Sequence, residues 1–274
     1  MHSVAAFTCF DLPEIRETLD AWWAGLARHC RQAGIEDVPN KLLRPIDERR
    51  VWEHPAVLLG QLDGYRCVHV YGDRLRVLAT PCYKARGCVG PRFRCLVLVR
   101  EDDSAQVWTE LQSRKVGVEG LDLLGSWRLF KAWVEAVSDP ASFFGRVIIS
   151  GGALDSLALL HSEAVDYVLV DCVTYALIER ERPEALQGVR IIAETETGLA
   201  PPIVTSRLQP PERVHKLGRA LIAALTDPEI APIRKRLLIS AIEVPGEDAY
   251  EDEPHPVEST VTLLSEAREI RDGN

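Results

Sequence analysis

No apolar run in this 274-residue chain approaches the roughly 20 residues needed to cross a bilayer, so a membrane-spanning helix is not expected. A basic excess is missing as well. The formal net charge is −9, which argues against nucleic acid as a partner, because such binders carry a basic surface. The N-terminus lacks a charged segment followed by an apolar stretch and a small-residue cleavage site. Val4 to Phe10 reads instead as a first strand, so the chain is either cytosolic or a mature form whose leader was removed. The seven histidines and seven cysteines include no pair at zinc-finger spacing, and neither a metal nor a cofactor is expected. An odd cysteine count leaves at least one thiol outside any disulfide, although Cys82 and Cys88 flank a Gly-rich loop and could pair in an oxidising compartment. Reduced, structural cysteines are the expectation. Also missing are a Gly-x-x-x-x-Gly-Lys loop, a Gly-x-Gly-x-x-Gly turn and a Gly-x-Ser-x-Gly elbow, and with them the common nucleotide and hydrolase signatures.

What the chain does have is concentrated in residues 143–182. A short apolar strand ends at Ser150-Gly151-Gly152, a helix-like stretch runs to His161, and a second apolar strand leads to Asp171-Cys172-Val173-Thr174-Tyr175, which opens another helix. Such a βαβα run implies a parallel sheet, and parallel sheets bind ligands at the carboxyl ends of their strands. Both polar corners sit at such ends and mark a small-molecule site.

Around this segment the pattern alternates strands and helices. Asp11, with Glu14, forms a candidate capping box for a helix whose apolar stripe is Ile15, Leu19, Trp22, Trp23, Leu26, Ala27 and Cys30, ending at Gly34. At that spacing the tryptophan pair reads as core. Further along, the sequence predicts an extended piece at 42–44, a helix at 47–52 and strands at 56–60 and 75–80. A loop at 81–91 precedes a strand at 93–100. A helix near 105–112, a strand at 115–119 and a helix at 126–137 follow, with strands at 189–193 and 203–205 beyond the central run. Helices are expected at 212–225, 229–238 and 257–270, with a solvated acidic run, Glu247 to Glu253, before the last. The expected class is α/β in two lobes: one of residues 1–94 with 196–274, the other of 95–195. Phe93 to Arg100 leads out and Val189 to Thr195 leads back, leaving a cleft between the lobes.

Two kinds of residue can carry chemistry. Glycine-containing turns at Ser150-Gly151-Gly152 and Gly125-Ser126 open helices, where backbone N–H groups favour an anion. From Arg74 to Arg100 seven basic residues occur without an acid among them, and Arg94, at a strand entry, is the one best placed to meet a carboxylate or phosphate.

Several segments together carry a likeness: Asp11-Leu12-Pro13-Glu14, Leu58 to Tyr65, Ala79-Thr80-Pro81-Cys82-Tyr83, Gly87 to Arg94, Ser150-Gly151-Gly152 and Asp171 to Tyr175. Taken in order over roughly residues 4 to 240, the chain resembles the phosphate/phosphonate-type substrate-binding proteins of ABC transporters. The resemblance implies a type II periplasmic-binding fold, with two crossing segments and a small ligand in the interlobe cleft. It implies Gln61, Tyr65, Tyr83 and Arg94 on the first side of that cleft, and Ser126, Ser150, Asp171 and Tyr175 on the second. An ABC transporter permease is the implied partner, with a monomer expected. The location is periplasmic if a leader was removed and cytoplasmic if the chain starts natively at Met1.

Two positions depart from the pattern. Where relatives resembling this chain have a Ser-x-Ser-Gly turn, it reads Asp122-Leu123-Leu124-Gly125-Ser126, and Ala153 stands where a histidine commonly follows the Gly-Gly turn. A buried anion loses about 1–3 kcal/mol for each unmet donor, so the expectation is a less charged, more apolar ligand or a site that no longer binds. The expected function is binding, without catalysis, of a small anionic ligand, either phosphonate/phosphate-like or a more apolar relative. The alternative is a lyase or biosynthetic enzyme on the same fold, with Asp171 or Glu194 as acid or base.

Overall fold

The computed structural model describes residues 2–246, 249–251 and 253. In chain order its principal elements are β1 (Val4–Phe7), α1 (Arg16–Gln32), α2 (Arg49–Trp52), β2 (Val57–Gln61), β3 (Leu75–Tyr83) and β4 (Arg92–Arg100). There follow β5 (Lys115–Val118), α3 (Leu129–Glu135), α4 (Pro140–Phe143), β6 (Arg146–Ile149), α5 (Ala153–His161), β7 (Tyr167–Asp171) and α6 (Cys172–Glu181). The chain continues through β8 (Val189–Leu199), β9 (Ile203–Ser206), α7 (Pro211–Thr226), α8 (Ala231–Arg236) and β10 (Ile239–Glu243). The described residues form two compact units, one of 2–92 with 199–251, the other of 93–198 with 253.

The first unit is built on a five-stranded sheet ordered β1-β2-β9-β3-β10. β1 and β2 are parallel, and β9 lies antiparallel to both β2 and β3. β1, β2 and β3 therefore run the same way and bring their carboxyl ends, Phe7, Gln61 and Tyr83, to one edge. The stripe read along the first helix is its buried face: Leu19, Trp22, Trp23, Leu26, Ala27 and Cys30 are all buried, and α1 packs on α7. A second cluster gathers Ala6, Trp52, Val57, Leu62, Tyr71 and Val204 about β2.

The second unit has its own five-stranded sheet, ordered β6-β5-β7-β4-β8. β5 is parallel to β6 and β7, while β4 runs antiparallel to β7 with Cys95 opposite Asp171. Its core is aromatic. Phe130, fully buried, lies edge-on to Trp108, Phe143, Phe144 and Tyr167 at centroid distances of 6.0–6.1 Å. Edge-to-face geometry at these distances suits the ring quadrupole.

Several local expectations change. The first helix has no side-chain cap: a 3-10 turn at Pro13–Ile15 leads into it, and the Asp11 carboxylate instead accepts from Arg44 Nε at 2.9 Å. β1 stops at Phe7, and Phe10 adopts φ 60°. Residues 42–44 form no strand, although Leu43 N–H donates to Ala5 O. The helix expected near 105–112 shrinks to a 3-10 turn at Trp108–Leu111, since Asp103 and Glu110 cap the preceding backbone and hold it as a loop. β3 runs through Pro81 to Tyr83 because β10, which sequence reading assigned to no element, pairs with it and extends the sheet. The acidic run is not wholly solvated: Glu253 is 6% exposed, and Tyr250 within it is 2% exposed. The helix expected at 257–270 lies outside the described residues. Among those described, no helix is long and apolar enough to cross a membrane. None of the seven cysteines forms a disulfide, and burial pushes the thiols of Cys30 and Cys82 up to about 11.

Candidate functional site

In the first unit the strand ends carry the candidate residues. Gln61 closes β2 and Tyr83 closes β3, and the two meet: Gln61 Nε2 donates to Tyr83 Oη at 2.8 Å and to Pro201 O at 2.9 Å. Phe10, which sequence reading did not single out, packs edge-on against Tyr83 at 5.2 Å. Its left-handed backbone turns the chain after β1 toward β3, and nothing in the local sequence announces that turn. Tyr65 follows β2, its N–H held by Asp63 Oδ1 at 2.9 Å and its ring 4.5 Å from that of His69.

In the second unit the carboxyl ends of β5, β6 and β7 lie along one sheet edge, and the chain places Ser126, Ser150 and Asp171 just beyond them. Asp171 ends β7 and caps α6, accepting from Val173 N and Thr174 N at 2.9 Å each and from Thr174 Oγ1 at 2.5 Å. Burial raises its carboxyl above the usual range and outweighs these hydrogen bonds, which pull it down. Gly125 packs so closely that a Cβ there would stand 2.4 Å from the Phe93 ring and 3.1 Å from Asp171 Cβ. Only glycine lets the Ser126 turn close on the Asp171 corner. The helix opens as a π-turn at Leu124–Arg128, with Leu123 O accepting from both Trp127 N and Arg128 N. Ser126 is 2% exposed, and its hydroxyl has no hydrogen-bond partner among the described residues. Leu124 is fully buried.

Ser150 is occupied within its own turn, with Oγ 2.7 Å from Ser156 Oγ and 2.9 Å from Gly152 O. Arg94, at the same sheet edge through the Cys95–Asp171 register, is paired with Glu194 at 3.2 Å. Tyr175 lies half-buried on α6. The structure thus brings together Gln61 and Tyr83 in the first unit, and the Gly125-Ser126 turn and Asp171 in the second, with Cys95 Sγ donating to Ser126 O. Among the described residues no group of three or more His, Cys, Asp or Glu side chains could hold a metal ion.

The two carboxylates that acid–base chemistry would use are both engaged, Asp171 as a cap and Glu194 in an ion pair. This gives a direct expectation for Asp171. A carboxyl raised by folding stabilises the fold when protonated: its contribution is complete below about pH 4 and is lost as pH rises through the folded value. Asp171→Asn keeps the cap and removes that penalty, so at pH 7 it should unfold at or above the wild-type temperature. Asp171→Ala should cost about 1–2 kcal/mol through the lost cap. Thermal unfolding followed by circular dichroism checks both; a large loss in the asparagine variant would mean that the ionised carboxylate is needed.

A search of curated proteins found no match to this sequence. Among solved structures, the chain is similar to a Xanthomonas citri protein bound to ATP, at 17% identity and TM-score 0.69, covering 98% of each chain. It is similar to a binding protein component of an ABC phosphonate transporter from Pseudomonas aeruginosa at 13% identity and TM-score 0.70, covering 98% of this chain and 96% of that one. A third likeness is to PhnD1 from Prochlorococcus marinus in complex with methylphosphonate, at 12% identity and TM-score 0.67, covering 97% and 98%. At such identities the likeness is one of fold, and the fold is the two-lobed type II periplasmic-binding fold. The family described as ABC transporter, phosphonate, periplasmic substrate-binding protein matches residues 57–250 in sequence as well, and this chain belongs to that family.

Proposed function

We propose that this chain is a monomeric binding protein for a small anionic ligand more apolar than phosphate or a simple phosphonate, and that it delivers this ligand to a permease without altering it. In this reading Tyr65 and Tyr83 of the first unit and Ser126 and Tyr175 of the second touch the ligand, with Arg94 as the cation. Aromatic walls with a few placed polar groups are the usual make-up of such a site. One observation carries the choice of ligand. Ser150 and Thr174, the hydroxyls that a three-oxygen anion would draw on, are already bonded to Ser156, Gly152 and Asp171, while Leu123 and Leu124 fill the turn before Ser126. Asp171 supports the helix opening rather than the ligand. The ligand selects the closed state by binding it more tightly than the open one.

The test is ligand carry-over. The purified chain is denatured, its small molecules are extracted, and each is quantified by mass spectrometry. Tyr83→Ala and Tyr175→Ala, one in each unit, should each lower the occupancy of the same molecule at least about tenfold, equivalent to about 1.4 kcal/mol. Full occupancy in either variant would place the ligand on one unit alone and end this reading.

A further inference from the structure

The chain re-enters the first unit through Ala200-Pro201, just beyond β8, and every backbone polar group of this dipeptide is taken. Ala200 N–H donates to Pro91 O at 2.8 Å, on the segment that leaves the unit. Ala200 O accepts from Tyr250 Oη at 2.6 Å, and Pro201 O accepts from Gln61 Nε2 at 2.9 Å. Proline has no N–H to satisfy. The three partners come from three distant parts of the sequence: Gln61 is 4% exposed and Tyr250 2%, Pro91 is half-buried, and Ala200 itself is 1% exposed. Tyr250 is itself fixed by Thr80 Oγ1 at 2.8 Å, from the fully buried Thr80 on β3. The other bond from Gln61 Nε2 goes to Tyr83 Oη, so one amide joins a candidate ligand wall to the connector.

We infer that Gln61 is a positioning residue: it ties Tyr83 to the connector at Ala200-Pro201, which Tyr250 clamps from the other side. The dipeptide is then the fixed end of the hinge in the first unit, and bending takes place outside it. A displacement of the Tyr83 hydroxyl by ligand is felt at Pro201 through the Gln61 side chain, whose two N–H donors are both committed. Such a buried polar link holds one arrangement when fully satisfied. The clamp also gives the C-terminal segment a task, because Tyr250 lies beyond the last strand and its ring fills the core of the first unit. The link from connector to ligand rests on the reading that Tyr83 touches the ligand; the clamp itself does not.

Hydrogen–deuterium exchange of the ligand-free chain tests the clamp, with the Ala200 amide as reporter and the amides of Val204 and Leu98, in the sheet cores, as references. Gln61→Leu removes both donors, and Tyr250→Phe removes the third bond. Each should speed exchange at Ala200 at least about tenfold while leaving Val204 and Leu98 unchanged, since loss of a local constraint opens a local unit. Gln61→Glu supplies no donor when ionised and one when protonated, so its Ala200 exchange, corrected for intrinsic rate, should slow again as pH falls through the carboxyl's burial-raised pKa, a recovery that simple loss of packing would not show. If Gln61→Leu fails to fold, Tyr250→Phe decides. Unchanged exchange at Ala200, or an equal rise at all three amides, overturns the inference. Faster exchange at Ala200 together with full ligand occupancy in Tyr83→Ala would leave the clamp standing and remove its tie to the ligand.

Discussion

Inorganic phosphate and methylphosphonate should bind this chain with dissociation constants on the order of 1 mM or weaker, near 4 kcal/mol of binding energy. A tetrahedral anion in a closed site needs several donors aimed at three oxygens. In the second unit the turn that would provide them offers backbone N–H groups and the Ser126 hydroxyl. Leu124 is fully buried there, and Leu123 ends the extended segment before the helix with no side-chain cap. Ser150 cannot substitute without withdrawing its one hydroxyl proton from the acceptors around it, among them Gly152 O and Val118 O. Restoring hydroxyls should therefore raise affinity: Leu123→Thr with Leu124→Ser should tighten methylphosphonate at least about tenfold, or 1.4 kcal/mol, even though the buried leucine costs about 2 kcal/mol or more of stability when shortened. Isothermal titration at low salt reads both. Micromolar affinity in the unaltered chain would mean that nearby groups such as Arg94 replace the missing hydroxyls.

Phe130→Ala should destabilise the second unit by about 3–5 kcal/mol, the usual penalty for emptying a buried aromatic position. The ring touches five others, Trp108, Trp133, Phe143, Phe144 and Tyr167, so no single neighbour can collapse into the space. Tyr167 is itself fully buried on β7, the strand that carries Asp171, so slack at Phe130 reaches the strand that ends at the Asp171 cap. Urea unfolding followed by tryptophan fluorescence should show an early transition from Trp108, Trp127 and Trp133. A loss below about 1 kcal/mol would show that the aromatic cluster packs loosely.

The parts of this architecture legible in the sequence are those governed by short-range pattern. The stripe on α1, the strand at 93–100 and the Asp171 corner follow from periodicity and capping chemistry, and each is present. The first-helix cap is not legible locally, because Asp11 sits at the right spacing but pairs with Arg44, 33 residues away. β10 went unread because Ile239–Glu243 is a strand only by virtue of pairing with β3, which also carries that strand past Pro81. In the candidate site, residue types were legible and their commitments were not. Nothing local to Gln61 indicates that its amide is spent on Tyr83 and Pro201, 140 residues away, nor does Ser150 advertise Ser156. Side chains that satisfy one another look, in sequence, the same as side chains waiting for a ligand.

Binding without conversion can be tested on the ligand itself. The most direct measurement is to extract the molecule that co-purifies with the chain, return it to ligand-free protein at equal concentration, and quantify it by mass spectrometry over several hours alongside its bound fraction. Binding without conversion requires one molecule per chain, recovered chemically unchanged at every time. Loss of that molecule with growth of a product would contradict it and return Asp171 and Glu194 to consideration as acid and base.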